Sequence, residues 1–139
     1  MIGLDTNVLA RYYISGLDAD AATLRQQHAA RRLLEGGQPL CVAKSVLLEL
    51  EWVMRGAYDC TRAQFAGVVE HLLALPQVTV EDRPTVEAAL AGHRAGLDFA
   101  DALHHATYRV CETMASFDDR RFARRAKRMG LVPAVHVPR

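Results

Sequence analysis

Short apolar runs alternate with longer helical segments along the chain, and this alternation restricts the fold more than any other feature. Strands are predicted at residues 1–4, 40–43, 78–80 and 113–117, with a short last strand at 135–137. The helical segments between and after them cover residues 7–14, 18–35, 46–56, 61–74, 84–95, 98–112 and 120–129. Strands connected through helices usually form a parallel sheet with helices on both faces. The pattern therefore predicts an α/β fold, a three-layer α/β/α sandwich around a central, mainly parallel sheet of four to five strands.

Length and composition predict a single soluble domain over residues 1–139. The formal net charge of +1 neither demands nor excludes a nucleic-acid partner. No apolar run approaches the roughly 20 residues of a membrane span, and the first carboxylate, Asp5, comes too early for a secretory signal. Cys41, Cys60 and Cys111 are spaced too irregularly for a disulfide framework or a zinc site, and we expect buried thiols. We therefore expect a cytoplasmic protein with no membrane partner.

Carboxylates stand where two of the predicted strands end. Asp5 follows the first strand directly, and Asp118 and Asp119 follow the fourth. In parallel α/β sheets, ligands bind beyond the carboxyl ends of the strands. These acids are therefore expected at the functional edge of the sheet, although Asp5 would also serve as the N-cap of the next helix.

On a helical wheel, Glu49 falls between apolar residues of the predicted helix 46–56. Glu51 falls on a polar stripe with Arg55, and Trp52 falls on an apolar face. We therefore expect Glu51 at the surface and Trp52 in the core. A carboxylate that faces the core needs a partner, because an unpaired buried charge costs several kcal/mol. The partner of Glu49 would be a metal ion or an arginine.

Two further acids, Asp98 and Asp101, open the predicted helix 98–112. Helix capping explains both, and metal binding is the alternative. The adjacent His104 and His105 are expected on the exposed face of this helix. Their side chains diverge by about 100°, which argues against a metal-free acid–base pair. All the candidate ligands are oxygen atoms, a set that suits Mg²⁺ or Mn²⁺ better than zinc.

A basic segment follows Asp118 directly. Six cations fall within residues 120–128, namely Arg120, Arg121, Arg124, Arg125, Lys127 and Arg128. This segment is either a solvated helix face or a phosphate-binding surface for RNA.

Four sequence blocks resemble, in order, the signature blocks of VapC-type toxins, which are PIN-domain ribonucleases of bacterial and archaeal toxin–antitoxin pairs. They are IGLDTNVL at residues 2–9, LELEWVM at 48–54, DFADAL at 98–103 and SFD at 116–118. The resemblance covers nearly the whole chain. It implies an Mg²⁺- or Mn²⁺-dependent endoribonuclease that inhibits translation, a homodimer, and an antitoxin whose C-terminal segment blocks the active site.

The resemblance also implies four catalytic acids around the metal. Asp5, Glu49, Asp101 and Asp118 match them, and Asp98 is an acidic neighbour. A metal-bound water would attack phosphorus and the 3′-oxygen would be the leaving group. The other product would therefore carry a 5′-phosphate.

The register of the fourth acid is ambiguous, because Asp119 follows Asp118; Asp118 is the preferred match and Asp119 a further candidate metal ligand. Thr6, Asn7 and Ser116 match polar positions that steady the acids in the family.

Two other functions compete with this prediction. Haloacid-dehalogenase-type phosphatases also place an Asp after the first strand, but they require Asp-x-Asp, and Asn7 stands where the second acid should be. A catalytically silent PIN-like module that only binds RNA or protein is the stronger alternative. Metal-dependent cleavage and thermal stabilisation by metal would separate it from an enzyme.

Overall fold

The computed structural model describes residues 1–14 and 19–139. Asp18, where the second helix was predicted to begin, lies outside the described residues. The chain divides into two compact units, Met1–Arg83 and Pro84–Arg139. Each unit is described by itself.

The first unit is a parallel three-stranded sheet with helical connections. Its elements are β1 (Ile2–Gly3), α1 (Thr6–Tyr13), α2 (Ala21–Glu35), β2 (Leu40–Val42), α3 (Lys44–Ala57), α4 (Arg62–Ala74) and β3 (Val78–Val80). The strand order is β1-β2-β3, and both pairs are parallel, with Ile2 opposite Leu40 and Leu40 opposite Val78. These elements agree with the predicted strands and helices to within a few residues.

The apolar periodicity of this unit explains its core. Leu40 and Val42 of the central strand β2 are buried, and so are Leu9 of α1 and Leu34 of α2. Residues two apart on a strand share a face, which is why both ends of β2 contribute to the core.

Helix capping fixes the start of α4. The hydroxyl of Thr61 accepts a hydrogen bond from the backbone N–H of Gln64, and the Gln64 side chain accepts one from the Thr61 N–H. This reciprocal pair satisfies two amides that the helix itself leaves without acceptors.

The second unit combines helices with a separate pair of parallel strands. Its elements are α5 (Arg83–Arg94), α6 (Phe99–Thr107), a 3₁₀ turn (Tyr108–Val110), β4 (Thr113–Ala115), a π-helical turn (Asp119–Ala123), α7 (Arg124–Met129) and β5 (Ala134–His136). Strands β4 and β5 pair in parallel, with Thr113 opposite Ala134. The side chains of Phe99 and Phe122 are almost fully buried.

The strand pairing corrects one part of the sequence prediction. The α/β class with parallel strands is confirmed, but the described strands form a sheet of three and a sheet of two instead of one sheet of four to five. Periodicity identifies a strand and its connection to the next element. Periodicity does not show which strand edges form hydrogen bonds with each other. It therefore could not predict the number of strands in each sheet.

Two further expectations concern membranes and thiols. Among the described residues, no helix has the length and apolar character needed to cross a bilayer. Cys41 and Cys60 are half-buried free thiols, whereas Cys111 is exposed. The prediction of a buried thiol is therefore wrong for Cys111, which lies just after the 3₁₀ turn.

Candidate active site

Asp5 lies at the end of β1, as its position in the sequence predicts. The backbone N–H of Leu4 still donates to the carbonyl of Cys41 at 2.9 Å, so strand pairing ends one residue before the acid. The Asp5 side chain is exposed and caps α1, accepting a hydrogen bond from the backbone N–H of Thr6 at 2.8 Å. Asp5 therefore follows the strand and caps the next helix, as predicted, and its role as a metal ligand stays a prediction.

The hydroxyl of Thr6 is a buried polar group next to Asp5. Its oxygen has no hydrogen-bond partner among the described residues. Buried polar groups nearly always have a hydrogen-bond partner. A water molecule or a ligand that forms a hydrogen bond with this oxygen would therefore be stabilised here. Asn7 is exposed and lines a groove of about 420 Å³ between α1 and α2.

The face of α3 differs from the prediction. Glu49 is exposed, whereas Glu51 is only 9% exposed. The carboxylate of Glu51 accepts two hydrogen bonds from Arg55, at 2.9 and 3.3 Å. The buried stripe of this helix runs through Leu47 and Leu50, which places Glu51, four residues after Leu47, on the same side. The prediction that Glu49 faces the core is therefore wrong, and its assignment as a ligand depends on the resemblance alone.

Trp52 is 70% exposed, so its prediction as a core residue is also wrong. The guanidinium carbon of Arg55 lies 5.9 Å from the centre of the Trp52 ring. This is the distance of a cation–π contact. Apolar residues occur around most of α3, and for that reason a helical wheel did not identify the buried face.

Asp98 and Asp101 open α6 as predicted. The Asp98 carboxylate accepts hydrogen bonds from the backbone N–H groups of Ala100 and Asp101, at 2.9 and 3.4 Å. Burial raises the pKa of Asp101, and the negative charges of Asp98 and Asp118 raise it further, while His104 acts in the opposite direction. Three candidate acids of the second unit are thus within electrostatic reach of one another.

The two acids after β4 have different partners. Asp118 caps the π-helical turn by accepting from the backbone N–H of Arg121 at 3.0 Å. Asp119 instead forms an ion pair with Arg124, at 2.8 Å. Ser116 accepts a hydrogen bond from the Asp118 backbone N–H at 3.1 Å, so it holds the turn and not the carboxylate. Asp118 is therefore engaged by a backbone amide and Asp119 by an arginine, and the choice of Asp118 as the fourth acid stays a prediction.

The two adjacent histidines lie in different environments. His104 is exposed, as predicted, but His105 is buried. The Nε2 of His105 lies 2.8 Å from the carbonyl oxygen of Pro133. A carbonyl only accepts, so this nitrogen carries the proton and donates. His105 is therefore a hydrogen-bonded core residue, and the prediction of an exposed position is wrong for it.

Part of the basic segment forms a cationic groove, defined here as the cavity of about 460 Å³ lined by Arg120, Arg124, Lys127 and Arg128. Arg121 is exposed. Arg125 donates to the backbone carbonyl of Gly96 at 3.0 Å and is half-buried, so this side chain stabilises the fold.

The donor chemistry of the acids fits a divalent metal. Carboxylate oxygens are preferred ligands of Mg²⁺ and Mn²⁺, and a cation would relieve the repulsion that raises the pKa of Asp101. Within residues 1–14 and 19–139, however, no three acidic, histidine or cysteine side chains are already arranged to hold one ion. Metal binding by these acids therefore stays a prediction.

Comparison with known proteins identifies the family. No curated protein gave a significant sequence match. The family model described as PIN domain matches residues 2–128, which is most of the chain and includes residues of both units. PIN domains are generally nucleases, and PIN nucleases typically use divalent metals. The chain belongs to the PIN domain family.

Proposed function

We propose that this PIN-domain protein is an Mg²⁺- or Mn²⁺-dependent endoribonuclease of the VapC type, the toxin of a toxin–antitoxin pair that inhibits translation by cleaving RNA. The family match supports nuclease chemistry. The ordered blocks at residues 2–9, 48–54, 98–103 and 116–118 support the toxin subtype.

The observation that carries the proposal is the environment of Asp101. Its carboxyl group is half-buried and stands within electrostatic reach of two further carboxylates, Asp98 and Asp118. An acid in the first turn of a helix is ordinarily favoured in its ionised form, but burial and the two neighbouring charges outweigh that benefit at Asp101 and raise its pKa. Such an arrangement is useful where a cation or a proton has to be held.

In this proposal, Asp5, Glu49, Asp101 and Asp118 bind the metal, and Asp98 and Asp119 are neighbouring acids. A divalent cation held there would neutralise charge at the scissile phosphate and would lower the pKa of a bound water. Asp98 positions Asp101 by fixing the first turn of α6 through its two cap hydrogen bonds. Ser116 positions Asp118 by holding the backbone of the turn that carries it.

A second function is favoured by two specific observations. Because no metal-holding group of three side chains is preassembled among the described residues, and because Glu49 is exposed, a catalytically silent PIN-like RNA- or protein-binding module fits those two facts as well. Such a module would bind without metal-dependent cleavage. The two functions therefore differ in a measurable way.

The test is cleavage of RNA by the purified full-length protein with added Mg²⁺, Mn²⁺ or EDTA. We expect cleavage that requires the metal and that falls by at least about 100-fold in Asp101→Asn, since even outer-shell changes at metal sites cost 10–100-fold. Asp20→Asn is the matched control, because Asp20 caps α2 from an exposed position and Asn is an equally good cap. Equal cleavage by wild type and Asp101→Asn would contradict the proposal, and absence of cleavage with retained RNA binding would support the silent module.

The proposed partners are a second copy of the chain and an antitoxin whose C-terminal segment blocks the site. Both come from the resemblance to VapC-type toxins. Light scattering on the purified protein tests the homodimer. Co-expression with the product of a small neighbouring reading frame tests the antitoxin, which should form a stable complex and suppress cleavage.

A further inference from the structure

A groove lies between α1 and α2, next to one of the proposed metal ligands. Its volume of about 420 Å³ is within the range of roughly 300–1,000 Å³ that small-molecule sites occupy. Asn7 lines this α1–α2 groove and follows Asp5 by two positions, so their Cα atoms lie within about 7 Å of each other. A group bound at the Asn7 end of the α1–α2 groove would therefore lie close to Asp5.

Apolar side chains form most of the wall of the α1–α2 groove. They are Val8 from α1 and Ala29, Ala30 and Leu33 from α2. Val8 and Leu33 are half-buried and Ala30 is buried, so the wall belongs to the packed surface between the two helices. The two alanines are small, which leaves room for a flat ring to lie against the aliphatic side chains. Binding sites for small molecules usually combine such an apolar wall with a few well-placed polar groups.

Hydrogen-bond donors dominate the polar part of the α1–α2 groove. Arg11 donates through Nε to Oε1 of Gln26 at 2.7 Å, and through Nη1 to the hydroxyl of Tyr58 at 3.2 Å. Since the oxygen of Gln26 accepts from Arg11, the nitrogen of the same amide leaves its N–H groups for a ligand. These groups and the remaining N–H groups of Arg11 have no acceptor among residues 1–14 and 19–139. The α1–α2 groove therefore offers several donors beside an apolar wall.

We propose that the α1–α2 groove is a guanine pocket, which binds the base beside the cleaved phosphodiester through hydrogen bonds from Arg11 and Gln26 to its O6 and N7. Bidentate donation by arginine to these two atoms is the commonest specific contact between a protein and a base edge. The inference rests on the proposed function for the choice of RNA. It goes further, because it names the base that determines where the RNA is cut.

The acceptor pattern of guanine distinguishes it from the other bases. Guanine presents two adjacent acceptors on this edge, whereas adenine presents N7 beside an N6 amino donor and cytosine presents an N4 amino donor. An amino group that faces Arg11 and Gln26 would leave donors unpaired on both sides, which weakens binding. Uracil, like thymine, presents only the O4 acceptor there. A peptide carboxylate would also accept from these donors, but a peptide site would not distinguish one base from another.

Fluorescence anisotropy with the full-length protein in EDTA measures base preference without interference from cleavage. The probes are four labelled nine-nucleotide RNAs, each with A, C, G or U at the centre of a run of uridines. The wild type should bind the guanine probe at least about 5-fold more tightly than the adenine probe, which is the lower limit for a good bidentate contact.

Gln26→Glu is the diagnostic variant. The glutamate keeps an oxygen that accepts from Arg11, but it replaces the N–H donors of the amide with a second acceptor. The ratio of guanine affinity to adenine affinity should therefore fall to about 1. Ala29→Phe fills the α1–α2 groove with a ring and should abolish the preference by excluding the base.

Each variant has a matched control on α2. Gln27→Glu introduces the same charge one residue away, outside the lining of the α1–α2 groove, and should change the affinity of all four probes by the same factor. Ala22→Phe adds the same ring at an exposed position of the same helix and should leave the ratio unchanged. Melting curves establish that each variant is folded.

Equal affinity of the wild type for the guanine and adenine probes would overturn the inference. So would a guanine preference that persists in Gln26→Glu, or one that is lost equally in Gln27→Glu. Equal affinities combined with loss of antitoxin binding in Ala29→Phe would assign the α1–α2 groove to a protein segment instead. A protein that prefers guanine in EDTA but never cleaves RNA would contradict only the proposed function. A metal-dependent nuclease that binds all four probes equally would contradict only this inference.

Discussion

The negative charge of Asp118 raises the pKa of Asp101, although Asp118 follows strand β4 and Asp101 lies in the first turn of helix α6. Burial of Asp101 acts in the same direction and is the larger cause. An acid whose pKa is higher in the folded protein than in the unfolded chain stabilises the fold at low pH, and this contribution is lost as the pH rises through the folded pKa. At neutral pH Asp101 therefore destabilises the metal-free fold.

The first prediction follows from the raised pKa of Asp101. Asp101→Asn should raise the melting temperature of the metal-free protein at pH 7, because the amide carries no charge to desolvate or repel. The gain over wild type should shrink towards zero below the ordinary carboxyl pKa of about 3.9. Thermal unfolding in EDTA at pH 7 and pH 3 measures it.

Asp20 provides a control, because its pKa is shifted in the opposite direction to that of Asp101. The backbone N–H of Thr23 holds the pKa of Asp20 below its usual range, so Asp20 stabilises the fold above its unfolded pKa. Asp20→Asn should therefore give no gain at pH 7. If Asp101→Asn failed to stabilise the metal-free protein, the electrostatic description of the acid group would be wrong.

A second prediction concerns metal binding without catalysis. Mg²⁺ or Mn²⁺ at about 100 times its dissociation constant should stabilise the wild type by about 2.7 kcal/mol. Asp118→Asn should lose most of this stabilisation, while Asp119→Asn should keep it, because Asp119 is paired with Arg124. Melting curves across a metal titration provide the measurement. Equal responses of both variants would remove the distinction between the two acids.

The third prediction separates the two glutamates of α3. Glu51→Ala should destabilise the protein by about 0.5–1.5 kcal/mol, since it removes two hydrogen bonds between Glu51 and Arg55 and vacates a position that is only 9% exposed. Glu49→Ala should change stability by less than about 0.5 kcal/mol, as expected of an exposed position, and should abolish metal-dependent cleavage. Urea unfolding and RNA cleavage are measured on the same preparations. If the Glu49→Ala variant still cleaved RNA, Glu49 would not be a metal ligand and another residue would have that role.

A fourth prediction addresses the histidines. His105→Ala should cost about 2 kcal/mol or more, because it removes a buried ring and leaves the Pro133 carbonyl without its donor. His104→Ala should be nearly neutral in stability and should retain cleavage. Loss of cleavage in a fully folded His104→Ala variant would point to histidine acid–base chemistry instead.

The sequence was informative where local signals decide the structure. The capping box of Thr61 and Gln64 marked the start of α4, and the apolar runs marked each described strand. Asp98 was identified as the start of α6 because its side chain satisfies amides of its own first turn. Such features depend on neighbours only a few residues away.

The errors arose where distant residues decide. Trp52 and Glu51 exchange their expected environments, because the packing of α3 and not its composition selects the buried face. His105 is buried because Pro133, far along the chain, supplies an acceptor. The division of the strands into sheets of three and two likewise depends on long-range pairing. Binding of one metal by acids from distant parts of the chain would likewise depend on long-range packing.

The most direct measurement of the central claim is mapping of RNA ends after induction of the wild-type protein and of the Asp5→Ala variant. Hydrolysis with departure of the 3′-oxygen predicts new ends that carry a 5′-phosphate and that are absent from the variant. New 5′-hydroxyl ends paired with 2′,3′-cyclic phosphates, or the same cuts in the variant, would contradict a metal-dependent reaction carried by these acids.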